Sequence, residues 1–187
     1  MSGEYQFTSD EAEHAVLGVL LNENSALQSL DALRPEHFTS QVRGRIFAAI
    51  SEIVGRGRRA DPVTVGDHMA SDQDVVQLGG KNYLLDLMVA APPVVTANEY
   101  AEIIVDHSIR HALRDAGAMI ADLAWRDRDR DVADIALEAE KLVVDIARSG
   151  GSKDAWAPVG EAVWRGYQRA RAGNGASGRN DRPIRAR

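Results

Sequence analysis

The sequence predicts an all-α protein: a small helical globular domain followed by an antiparallel helical hairpin and a linker helix. Three observations lead to this. Apolar residues recur three and four apart in each long ordered stretch, the period of a helix packed along one side. The breaks between stretches fall at Asn, Gly and Pro, the residues that stop helices. Strand-like alternation is confined to Val63 and Val65, and there Asp61-Pro62 supplies the cap and first position of a helix instead.

The first element opens at Thr8, which with Glu11 three residues on has the spacing of a capping box. Behind it Ala12, Ala15, Val16, Val19 and Leu20 form an apolar stripe that Leu17 and Leu21 widen. A stripe so broad must be covered on several sides, so this helix is central. Asn22 and Asn24 end it. Ser25 to Leu33 reads as a short second helix stopped at Arg34-Pro35, because the residue before proline is pushed out of the helical region. A turn with Phe38 facing inward follows. Gln41 to Val54 then places Val42, Ile46, Phe47, Ile50, Ile53 and Val54 on one face, broken by Gly55 and Gly57. After the helix at Asp61-Pro62, Gly79-Gly80 introduce Tyr83, Leu84, Leu87 and Met88 at helical spacing, and Pro92-Pro93 close that run.

Two longer helices come next. Between Thr96 and about Arg126, the apolar positions Ile109, Leu113, Ala116, Ile120 and Leu123 are spaced 4, 3, 4 and 3 apart. Between Asp131 and Ala147, Val132, Ile135, Ala139, Leu142 and Ile146 are spaced 3, 4, 3 and 4 apart. Such seams suit helix-on-helix packing. The run Arg126 to Asp131 alternates charge with no apolar residue and suits an exposed reversal, so the two read as a hairpin. Beyond Gly150-Gly151, a piece from about Pro158 to Ala172 carries Val159, Val163, Trp164 and Tyr167 as docking anchors. The organisation is therefore a head over residues 1–106, a hairpin over 107–149 whose first helix begins near 96, a flexible link and docking helix over 150–173, and a disordered basic tail over 174–187.

Composition narrows the class. With 187 residues, 44% hydrophobic and 27% charged, the chain suits one core plus an extension. No apolar run approaches the ~18 residues that cross a bilayer, the first ten residues lack a secretory pattern, and cysteine is absent. A cytoplasmic location follows. The net charge of −6 hides two opposite parts: Met1 to Ser149 has 14 Lys+Arg against 25 Asp+Glu, and Gly150 to Arg187 has 8 against 3. An acidic body is a poor duplex-binding surface, since phosphate contacts need clustered cations. Only the basic tail suits single-stranded DNA.

No pattern of catalytic, cofactor or metal residues stands out. Gly79-Gly80-Lys81 lacks the upstream glycine and following Ser or Thr of a phosphate loop and reads as a helix entry. Gly173, Gly175 and Gly178 follow a helix instead of a strand and read as linker. His107 and His111 lie four apart without a marked third ligand, and Asp67-His68 is no stronger. Glu11 with Glu13, and Glu138 with Glu140, are two apart and point to different helix faces.

The order of several blocks resembles the N-terminal domain and linker region of DnaB-type replicative DNA helicases. The blocks are Glu11 to Gly18, Leu33 to Phe38, Ile46-Phe47 with Ala49-Ile50, Asp61 to Val65, Gly79-Gly80 with Tyr83-Leu84-Leu87, and Tyr100 to Ile104, within a span from Glu11 to Ala147. Two departures stand out: Arg43-Gly44-Arg45 where the family often has His-Arg, and Arg110-His111 where it often has paired arginines. The resemblance implies a non-catalytic assembly and primase-docking region acting in DNA replication and primosome formation. It implies a hairpin that pairs between subunits, as a dimer or the collar of a hexameric ring, through Ile109, Leu113, Ile120, Val132, Ile135, Leu142 and Ile146. Its implied partners are the helicase-binding domain of primase and a helicase motor domain in cis or in trans, to which ATP and magnesium would belong. The alternative is a stand-alone, mobile-element regulator of a host helicase; a nucleic-acid module using the basic tail comes third.

Overall fold

The computed structural model describes residues 9–126 and 130–149, and every regular element among them is helical. The wide apolar stripe of the first helix, α1 (Ser9–Asn22), dictates the rest of the head. Ala12, Val16, Leu17, Val19, Leu20 and Leu21 are all buried, so α1 is covered on several sides. Thr8 lies outside the described residues. The main cover is α5 (Lys81–Val89), with α2 (Gln41–Gly55) packing beside it. Gly18 sets the α1–α5 distance, because a Cβ there would stand 2.2 Å from the Leu87 carbonyl oxygen. Asn22 Nδ2 donates to the Met88 carbonyl at 2.7 Å and fixes the end of the same contact.

The helix expected over Ser25 to Leu33 is instead a 3-10 helix at Asn24–Ser29 with a turn after it. Asn24 Nδ2 donates to the Leu20 and Ala60 carbonyls, and its Oδ1 accepts from the Ala60 amide at 2.9 Å, which pins the segment at its start. Backbone bonds three residues apart, Leu30 to Leu27 and Leu33 to Leu30, then tighten the path and carry both leucines into the core. The chain returns through a second 3-10 turn at Pro35–His37, and Phe38 packs its ring 5.2 Å from that of Phe47. Ser40 caps α2, whose Ile46, Phe47, Ala49, Ile50 and Ile53 are buried.

At Asp61 the backbone follows the cap chemistry. The Asp61 carboxylate accepts from the Val63 and Thr64 amides at 3.0 and 2.9 Å, Thr64 Oγ1 accepts from the Asp61 amide, and α3 (Pro62–His68) follows. The Thr64 amide, foremost among these bonds, holds the Asp61 carboxyl below its ordinary value. A five-residue helix that the sequence pattern does not reveal, α4 (Gln73–Gln77), buries only Val75, too little for a periodic signal. It is held by Asp72, which caps it and takes two hydrogen bonds from Arg45 of α2, at 2.7 and 3.1 Å. Gly79 and Gly80, at φ 115 and 57, make the left-handed entry to α5 that a side chain would strain. Beyond Pro93, a 3-10 turn at Val94–Thr96 leads into α6 (Ala97–Arg126), whose Ala97, Ala101 and Ile104 join the core.

The chain forms two compact units that divide within α6, between Ala118 and Met119. The second unit contains α7 (Val132–Ser149). Among the described residues no helix is long and apolar enough to cross a membrane.

The α1–α5 approach is testable. Gly18→Ala should lower stability by about 1–3 kcal/mol through overpacking, even though Ala gains about 1 kcal/mol in helix propensity. Gly55→Ala, where a Cβ meets nothing within 4 Å, should be neutral or stabilising. Urea unfolding of both variants reads the difference.

Candidate functional site

On α6, Ile109, Leu113 and Ile120 recur on one helical face and are each half-buried, with Ala116 between them fully buried. On the polar side of α6, Arg110 Nε donates to Asp106 at 2.6 Å one turn away, a pair that supports the helix weakly because both groups are exposed, and Arg114 lies 3.0 Å from its neighbour Asp115. On α7, Ile135, Leu142 and Ile146 are half-buried, whereas Val132 is 70% exposed. Asp131 accepts from the Ala133 amide at 3.0 Å and caps the start of α7, and Arg130 reaches forward to Glu138 at 2.8 Å. Leu137, 64% exposed, lies on the side of α7 opposite to this row. The docking anchors Val159, Val163, Trp164 and Tyr167 lie outside the described residues.

The head contains a polar centre that the sequence pattern does not single out. Glu13 lies in the apolar stripe of α1 and is 0% exposed, while Glu11 two residues earlier is exposed. Its carboxylate accepts from the Thr39 amide at 2.6 Å, the Ser40 amide at 3.4 Å, Ser9 Oγ at 3.1 Å and Arg43 Nε at 2.6 Å. Arg43, itself nearly buried, also donates to Asp10 and lies 3.0 Å from His14 Nε2. A buried carboxylate is tolerated when donors and a cation meet it, and here four groups do. The available signal was a glutamate at a helical spacing that otherwise holds only apolar residues.

Lys81 and His68 each meet an acidic partner within the head. Lys81 pairs with Asp67 at 2.6 Å beside the glycine entry to α5. His68 lies 3.4 Å from Glu52. His111 is exposed on α6 and His107 is half-buried one turn before it.

With head and helices in place, comparison with known proteins decides the family. Residues 6–106 match the model of the DnaB-like helicase N terminal domain. The chain belongs to this family. It is 32% identical over 139 residues to the replicative DNA helicase DnaC of Bacillus subtilis, covering 74% of this chain and 30% of that protein. It is 29% identical over 138 residues to the replicative DNA helicase DnaB of Mycobacterium leprae, covering 73% of this chain and 23% of that one. Thus the chain spans less than a third of the length of these relatives. The crystal structure of the N-terminal domain of DnaB helicase from Mycobacterium tuberculosis superposes with a TM-score of 0.66 at 26% identity, covering 71% of this chain and 94% of that one. The all-helical class and the DnaB-type N-terminal assignment both stand.

Within this DnaB-like frame, Arg43-Gly44 has a local explanation. Arg43 supplies the cation for Glu13, and Gly44 lets α2 approach the preceding turn, since a Cβ there would stand 2.5 Å from the Pro35 carbonyl oxygen. Arg43→Met should therefore destabilise the head by about 3–5 kcal/mol, the usual result of stranding one member of a buried ion pair. Combining it with Glu13→Gln should recover part of that loss in thermal or urea unfolding.

Proposed function

We propose that this chain serves as the non-catalytic assembly and docking region of a DnaB-type replicative helicase, acting in the bacterial cytoplasm. The observation that carries this is the family match over the head, followed by two helices whose apolar rows are left part-exposed in a single copy. A row of Val, Ile and Leu at alternating spacings of three and four is the pattern by which helices pack in pairs. Burying it between subunits would convert part-exposed apolar area into association free energy, at roughly 25 cal/mol per Å² before the cost of association.

In this reading Ile109, Leu113, Ile120, Val132, Ile135, Leu142 and Ile146 build a dimer or ring collar. The assembled collar then receives the helicase-binding domain of primase and sits beside a motor domain that performs ATP-driven unwinding. The acidic charge of the region through Ser149 suits a protein-docking role better than a duplex-binding one.

Leu142→Asp should convert an oligomer to a monomer in light scattering while helical circular dichroism is retained. Leu137→Asp, on the opposite side of α7, should leave the assembly intact. A wild-type chain that stays monomeric at high micromolar concentration would sink the self-association reading.

A further inference from the structure

His14 sits where α1, α2 and α5 meet. Its Nε2 is 3.0 Å from Arg43 Nη1, its Nδ1 is 3.5 Å from Asp10 Oδ2, and its ring meets that of Tyr83 edge-on at 6.3 Å. A guanidinium offers donors only, so His14 Nε2 must be the acceptor. That places the ring proton on Nδ1, facing Asp10, and makes the imidazole neutral. The charged and titratable groups around it are Asp10 and Glu13 from α1, Arg43 from α2 and Tyr83 from α5.

We propose that His14 is a proton-operated latch between α1 and α2. Neutral, it accepts the Arg43 hydrogen bond and helps hold the guanidinium over Glu13. Protonated, it loses the acceptor lone pair and sets a second cation against Arg43, so the contact that organises the first turn of α1 loosens.

Asp10 and Glu13 favour the protonated ring, but Glu13 is already met by Arg43, Ser9 and the Thr39 and Ser40 amides. Asp10 is 61% exposed, where solvent and salt weaken its field. Burial, and then the Arg43 charge, push the His14 pKa below its ordinary 6.5. Folded His14 therefore takes up a proton less readily than unfolded His14. The stability it supports is complete above about 6.5, the unfolded value, and is lost as pH falls toward the lowered folded value.

The test uses the full chain and His14→Gln, which keeps an acceptor for Arg43 and a donor for Asp10 but does not titrate. Between about pH 7.5 and pH 5.5 the wild type should lose more stability to urea than H14Q. The unfolding constant should rise by up to roughly tenfold for each unit by which the folded pKa lies under 6.5. An NMR titration of the wild-type His14 ring should give a midpoint under 6.5, and this readout does not depend on the variant folding. Parallel losses in the two proteins, or a ring midpoint at or above 6.5, would overturn the latch.

Discussion

The head is organised around a carboxylate taken out of water. Glu13, buried in the central helix, needs donors, and the Thr39 and Ser40 amides with Arg43 provide them from residues 26 to 30 positions away. Leaving such a charge unmatched costs several kcal/mol, so the start of α2 has little freedom relative to α1. Much else follows from that placement. With α2 held there, Gly44 meets the Pro35 carbonyl, Phe47 reaches Phe38, and Arg45 reaches Asp72 to anchor α4. On the other flank of α1, Gly18 allows α5 to approach at backbone distance. Polar satisfaction positions one side of the central helix and steric smallness the other.

The two parts of the chain divide their chemistry accordingly. The head carries a self-contained core from α1 to the start of α6, with Val89 and Val95 among the large apolar residues left exposed on its surface. The rows on α6 and α7 differ in being regular: their half-buried or exposed members recur three and four residues apart along one face of each helix. Apolar area that one copy leaves in contact with water is the raw material of association, and this connects the fold to the assembly role proposed for it. Charge divides the chain at another place, after Ser149, into an acidic body that holds both the head and the two rows and a basic extension.

Much of the helical order was readable from residue spacing. Breaks at Asn22, Gly55, Gly79-Gly80 and Pro92-Pro93 bound real elements, and Asp61 decides for helix over strand because its carboxylate meets two free amides. Residue spacing carries no signal where the deciding force is not periodic. The stretch after Asn24 tightens into 3-10 geometry because Asn24 bonds to Ala60, 36 residues on. The short α4 has one buried residue and depends on the Asp72–Arg45 pairing. The candidate association row was visible as a pattern, whereas the polar centre at Glu13 was marked only by one acidic residue in an apolar stripe.

The sequence by itself determined the all-helical class, most helix boundaries and the family, since these depend on spacing, capping and breaking residues that act within a turn or two. Tertiary structure alone decided which cation meets Glu13, why residue 44 must lack a side chain, and which tautomer His14 adopts. Those outcomes depend on groups distant in sequence that share one low-dielectric space only after folding. There, burial makes each unmatched charge or misplaced methyl group far more expensive than in the open chain.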